Sequence, residues 1–457
     1  MINLSKVGTA MPEQDPKVRV NNNDEVAMGY TEEMAIREAL RCLKCREHPC
    51  MTSGCPIHNN IPAFIEKITE GAFEEAYQIL AETTALPAVC GRVCPQYLQC
   101  EGKCVRGDKG RPVAIGALER FVADWHRHNA SVVADEAAGT EKKQKSVAVI
   151  GSGPAGIACA GKLADKGYAV TIFEKEKKAG GVLSYGIPEF RLPREIVETE
   201  LDKLQQAGVV ISTEKELGRD FNIDSVMEQG FDAVFIGNGA GRSIRLGIPG
   251  QELKGVLPAS GFLYDANIRK EYPKAEKIAV IGGGNVAMDA CRAAARVPGV
   301  QKVYVVYRRS MAEMPSDPKE LREAVAEGVE FIYLTGPVEV VGDGEKAVGL
   351  KCQKMELAEP DASGRRKPVP IPGSEFVLEV DCIIEAIGSE SDNDGFSDLE
   401  KGSRGFITAD PDTLATSRPG VYAGGDTVTG PKTVIAAMGA GIKAAESIAD
   451  YLEKLNK

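Results

Sequence analysis

At 457 residues, 43% of them hydrophobic, the chain is long enough for about three domains of ordinary size, and it carries a formal charge of −11. That acidic balance argues against a nucleic-acid partner; the one basic run, Lys142-Lys143-Gln144-Lys145, reads as solvated linker. No apolar stretch is long enough to cross a bilayer, and the start Met1-Ile2-Asn3-Leu4-Ser5-Lys6 lacks a signal-peptide core, so a cytoplasmic chain without structural disulfides is expected.

The first thirty or so residues are polar and irregular. A helix is predicted from Thr31 to about Cys42, with Thr31 as N-cap and Glu32 and Glu33 in its first turn. A second is predicted over Ile61 to Leu80 from apolar residues at helical spacing. Eight of the twelve cysteines lie between Cys42 and Cys104. They read Cys42-x2-Cys45-x4-Cys50-x4-Cys55-Pro56 and Cys90-x3-Cys94-Pro95-x4-Cys100-x3-Cys104. Such density in a reducing compartment points to metal, and short thiolate-bearing loops with a proline after a ligand suit iron–sulfur clusters. Zinc is the alternative, although only one Cys-x2-Cys pair is present where a zinc ribbon has two. Residues 131–145, rich in Ala, Glu, Lys and Gly, read as a linker closing a front region of residues 1–130.

Beyond the linker, Val147-Ala-Val-Ile-Gly151-Ser-Gly153-Pro154-Ala155-Gly156 and Ile278-Ala-Val-Ile-Gly282-Gly-Gly284-Asn285-Val286-Ala287 share one build. Each runs from a buried strand through a glycine turn into a helix whose N-terminus can face a pyrophosphate. One such match is weak; two imply two dinucleotides side by side. The strand after the first ends in Glu174, an acid suited to ribose hydroxyls, whereas the strand after the second ends in Arg308 and Arg309, suited to a 2′-phosphate. FAD is therefore expected at the first and NADP(H) at the second. Phe231–Ala240 and Asp381–Gly388 each repeat an Asp, an apolar strand and a glycine turn, closing the two units. The fold expected is α/β: a helical iron–sulfur domain, then two Rossmann-like domains, with the NADP(H) domain (251–390) inserted into an FAD domain (146–250 and 391–457). Cys159, Cys291, Cys352 and Cys382 read as core residues, and neither nucleotide unit holds a Cys-x-x-Cys pair, which counts against a self-contained flavin disulfide reductase with a zinc-bound front domain. His58, His126 and His128 read as structural. No nucleophile–base arrangement or carboxylate pair stands out, and hydride transfer needs none.

Taken together, Leu86-Pro-Ala-Val-Cys-Gly-Arg-Val-Cys-Pro95, Ile115-Gly-Ala-Leu-Glu119-Arg-Phe121, Gly180-Gly181-Val-Leu183 through Pro193, and Tyr307-Arg-Arg-Ser310 with Met314-Pro315 carry a resemblance over nearly the whole chain. It resembles the small subunit of NADPH-dependent glutamate synthase, the larger subunit of bifurcating NADH-dependent reduced ferredoxin:NADP+ oxidoreductase, and the N-terminal half of dihydropyrimidine dehydrogenase. The resemblance implies two [4Fe-4S] clusters, one on Cys42, Cys45, Cys50 and Cys104, the other on Cys55, Cys94, Cys100 and the Glu119 carboxylate. Four residues separate Cys50 from Cys55 where the family has three, which leaves Cys90 as an alternative ligand. It also implies flavin-domain contacts at Gly181 and Leu183, with Gly425 and Asp426 at the ribityl chain and Thr433 at the start of the last helix. Electrons would pass between NADP(H), FAD, the clusters and a partner subunit, either the glutamate synthase large subunit or an FAD- and ferredoxin-linked one. With no glutaminase nucleophile in sight, the chain alone is not expected to make glutamate.

Overall fold

The computed structural model describes residues 2–129, 143–360, 364–393 and 395–455; most of the predicted linker lies outside them. Five parallel strands make the first sheet, in the spatial order Val421–Ala423, Ala233–Ile236, Ser146–Ile150, Ala169–Phe173 and Val210–Ser212. The second sheet, Val256–Pro258, Cys382–Glu385, Lys277–Ile281, Lys302–Val306 and Glu330–Ile332, matches it in its last four strands, but its edge strand enters before the others in the chain instead of after them. Chain that leaves the first sheet after Ile236 returns to it at Val421, and a short antiparallel pair, Arg242–Ser243 with Ser389–Glu390, stitches the two crossings together. The central strands Ser146–Ile150 and Lys277–Ile281 are buried almost throughout, as strands of a sheet covered on both faces must be.

Thr31 does cap a helix, Glu32–Ala39, its side chain accepting from Met34 N. The single helix predicted over Ile61 to Leu80 is two, Ile61–Glu70 and Phe73–Ala81. Gly71 breaks it in the left-handed region (φ +75°), its N–H going to Ile68 O and that of Ala72 to Lys67 O, a helix stop that only glycine adopts cheaply. The predicted irregular start is also partly ordered: Arg19, on the short helix Pro16–Arg19, is buried against Glu327 at 2.8 Å, and Val26 packs into the core of the second sheet.

One apolar core runs from the front helices into the first sheet and the closing helix Val434–Lys454, including Phe64, Leu118, Cys159, Met438 and Ile448. Ile57, just past Cys55, touches that closing helix where Gly439 leaves room. The thiol-rich region is thereby held directly against the helix that closes the first nucleotide unit.

Candidate cofactor sites

The eight clustered cysteines fall into two groups. Cys42, Cys45, Cys50 and Cys104 line one cavity walled by Ile61, Ile65 and Val113, and all four are only partly covered. Val113 N donates to Cys104 Sγ at 3.5 Å. Burial, together with the neighbouring Cys104 and Cys42 thiols, pushes the Cys50 thiol up to about 11, and burial likewise raises Cys42. Thiols this crowded resist ionising together unless a cationic centre takes them as thiolates.

The second group is deeper: Cys55, Cys90, Cys94 and Cys100 are buried, with Glu119 among them. Two glycines make this convergence possible. A Cβ at Gly54 would lie 2.9 Å from Cys100 Cα, and one at Gly91 would lie 2.5 Å from Arg120 N, so the Cys90 helix can press against the Glu119 helix. Burial pushes the Glu119 carboxyl up to about 8, and its Oε1 has no hydrogen-bond partner. An unpartnered buried carboxyl oxygen among thiols fits a metal ligand better than a structural carboxylate, which would be hydrogen-bonded. Both Cys55 and Cys90 belong to this group, the Cys55 thiol lying in the field of Glu119 and Cys90. No three His, Cys, Asp or Glu converge on a single point among the described residues.

In the first glycine turn, Gly151 is left-handed (φ +97°), and a Cβ at Gly156 would fall 1.9 Å from Gly151 O. Pro154 and Ala155 open the buried helix Pro154–Asp165. Gly153 and its counterpart Gly284 differ, since nothing lies within 4 Å of a Cβ there. That open space is what bare backbone would need in order to face a pyrophosphate. Gly282 again needs a positive φ (+143°), and Ala287 replaces the third glycine. Asn285 and Val286 sit exposed at the helix start, the Asn285 Oδ1 accepting from Asp317 N at 2.9 Å. Gly388 (φ +130°) closes the turn after the strand Cys382–Glu385.

Glu174 is buried at its strand end, its Oε2 accepting from Ser152 N at 3.0 Å and its Oε1 from Glu176 N at 2.8 Å. Gly181 (φ +56°) presses on this turn, where a Cβ would come within 2.8 Å of Gly153 Cα. Leu183, near Gly181, is 0% exposed and packs into the core. Gly425 (φ +78°) lies beside Ala155 and delivers Asp426, half-buried at the N-terminus of the short helix Asp426–Thr429. The Thr433 hydroxyl caps the closing helix through Ala436 N at 3.3 Å, so the residue presents a helix terminus more than a side chain. Tyr185 went unread in the sequence, although it sits inside the Gly180–Pro193 motif. Burial first, and then the carboxylates of Glu174, Glu176 and Asp426, push its phenol up to about 12.

The arginine pair at the second strand end is split. Arg308 is exposed and has no hydrogen-bond or ion-pair partner among the described residues. Arg309 is only 5% exposed, its Nε donating to Arg366 O at 2.8 Å. The two guanidinium groups thus differ, Arg308 lying open and Arg309 engaged inside the protein. The four isolated cysteines are buried core residues as expected, and His126 is held structurally by Glu74 at 2.8 Å and stacked on Tyr77.

Fold and sites together define a two-dinucleotide oxidoreductase joined to an iron–sulfur domain. Residues 19–131 match the family described as dihydropyrimidine dehydrogenase domain II, 4Fe-4S cluster, and residues 145–441 match the pyridine nucleotide-disulphide oxidoreductases. The glutamate synthase [NADPH] small chain of Escherichia coli is 35% identical over 468 residues, covering 97% of this chain and 96% of that protein. The NADP(+)-dependent formate dehydrogenase subunit beta of Moorella thermoacetica is 44% identical over 430 residues, covering 89% of this chain, which spans 60% of that longer protein. Mycobacterium tuberculosis FprA in complex with NADPH shares the fold, with a TM-score of 0.59 at 20% identity over 69% of this chain and 86% of FprA. The chain thus belongs to the pyridine nucleotide-disulphide oxidoreductases and, among them, to the iron–sulfur flavoproteins typified by the glutamate synthase small chains. No helix among the described residues is long and apolar enough to cross a membrane.

Proposed function

We propose that the chain is an electron-transfer subunit linking NADP(H), through FAD and two [4Fe-4S] clusters, to a partner protein. When bound, FAD exchanges a hydride with NADP(H) and passes its two electrons singly to the clusters, which relay them. The chain's own residues arrange this relay. The 146–250 and 391–457 segments hold FAD through the Gly151–Gly156 turn, Glu174, Gly181 and Gly425-Asp426, with the closing helix turned toward the ring at Thr433. The 251–390 segment holds NADP(H) through the Gly282–Val286 turn, Gly388 and Arg308. Cys42, Cys45, Cys50 and Cys104 bind one cluster, and Cys55, Cys94, Cys100 and Glu119 the other.

One observation carries the reading: the buried thiol group lies against the flavin unit through Ile57 and Gly439, while the half-exposed group lies nearer the surface. That order makes a path from flavin to outside. The relatives named as subunits of glutamate synthase and formate dehydrogenase support a partner of that kind, a large synthase chain or an FAD- and ferredoxin-linked one. Anaerobic purification tests the relay directly. About eight irons and eight sulfides per chain, with flavin bleached by NADPH and re-oxidised by a one-electron dye, are expected. Zinc without sulfide would sink it.

A further inference from the structure

The second sheet carries an antiparallel appendage, Thr335–Asp343, Lys346–Pro360 and Arg366–Glu379, whose last two strands form a long hairpin. That hairpin is fastened to the strand end at which a 2′-phosphate is read. The Arg309 carbonyl accepts from Leu334 N at 3.1 Å, and Leu334 O accepts from Met355 N at 2.8 Å. The Arg309 side chain reaches the start of the other hairpin strand at Arg366 O. Arg366 is therefore delivered beside the Arg308–Glu313 loop, although 57 positions separate it from Arg309.

Its guanidinium, half exposed, meets the Glu313 carboxylate, Nε and Nη2 both lying 2.7 Å from Oε1. Glu313 is itself fixed by the loop, its Oε2 accepting from Ser310 N at 3.1 Å and Ser310 Oγ at 2.5 Å. Its side chain is only 9% exposed. A carboxylate four residues past the arginine pair would repel a bound phosphate if left alone; Arg366 neutralises it and keeps further N–H groups for a second anion. We propose that Arg366 is a second guanidinium of the 2′-phosphate site, with Glu313 and Arg309 as positioning residues that hold it opposite Arg308. This rests on the reading of that strand end as the NADP(H) site.

The test uses the flavin- and cluster-loaded protein and two probes that need no turnover, 2′,5′-ADP and 5′-AMP, titrated calorimetrically. Arg366→Ala should weaken 2′,5′-ADP roughly tenfold and leave 5′-AMP unmoved, with KM for NADPH rising and kcat steady. Arg366→Lys, which keeps the charge, should recover part of the loss. Arg309→Lys keeps a charge but loses the planar link to the hairpin, and should weaken 2′,5′-ADP at an unchanged melting temperature. An Arg366→Ala protein that binds 2′,5′-ADP normally, or loses both probes equally, overturns the assignment. If Arg308→Ala weakens 2′,5′-ADP and spares 5′-AMP where Arg366→Ala does not, only the Arg366 assignment has failed; if Arg308→Ala also leaves the ratio of the two affinities unchanged, the reading of the site as NADP(H)-selective falls with it.

Discussion

The two nucleotide units share four strands in the same order, a glycine turn and a helix, yet one of them adds buried charge to the cover of its first helix. Helix Pro154–Asp165 is covered by the apolar closing helix, which approaches so closely at Gly441 that a Cβ there would sit 2.1 Å from Ala155 O. Helix Asn285–Ala295 is covered by buried charge. Its Arg292 meets Glu320, Glu323 and Glu327, while Arg296 and the distant Arg19 also converge on Glu327. Phe190 lies under two of these arginines, at 4.7 and 3.9 Å from Arg292 and Arg296. One fold therefore tolerates either a dry seam or an ionic one, provided every charge in the latter is matched.

Exchanging features between the units should expose that difference. The largest effect is expected from Gly156→Ala, whose Cβ has no room beside Gly151 O, so the protein should purify without flavin, as read by its visible spectrum. Glu327→Gln should follow, because three arginines lose a shared carboxylate; a loss of about 3–5 kcal/mol is expected, seen as a lowered melting temperature. The same group sets a pH response. Burial opposes its ionisation, yet the Arg292 and Arg296 hydrogen bonds hold its carboxyl down at about 2. A depressed carboxyl stabilises the fold above its unfolded value near 4.5 and ceases to do so as pH falls toward 2, so wild type should lose more stability than Glu327→Gln across that window. Arg308→Ala should raise KM for NADPH by roughly ten- to a hundredfold with NADH little changed, as expected for one charge-assisted contact. Ala287→Gly, which gives the second turn the residue of the first, should cost only about 1 kcal/mol of helix stability and leave NADPH binding intact.

Both turns were legible in the sequence because glycine's steric freedom ties residue type to backbone shape, and Thr31 was legible because a cap bonds within three residues. The thiol positions were equally plain, since density alone marks them, and Glu119 came only through family resemblance. Other features depend on contacts far apart in the chain. Nothing near Arg309 signals that Arg366 occupies it, or that Leu183 turns inward beside Gly181. The buried Arg19 reads locally as one more solvated charge, and its meaning comes from Glu327, some three hundred positions later. The break at Gly71 was available and went unread because apolar spacing continues in phase across it.

The unbroken core shared by the front helices and the flavin unit has a thermodynamic consequence. Because the front helices and the flavin unit share one interior, metal loss on one side is expected to loosen coenzyme grip on the other. Chelating the iron should bring flavin release and loss of helicity together at one lower temperature, in a single cooperative transition.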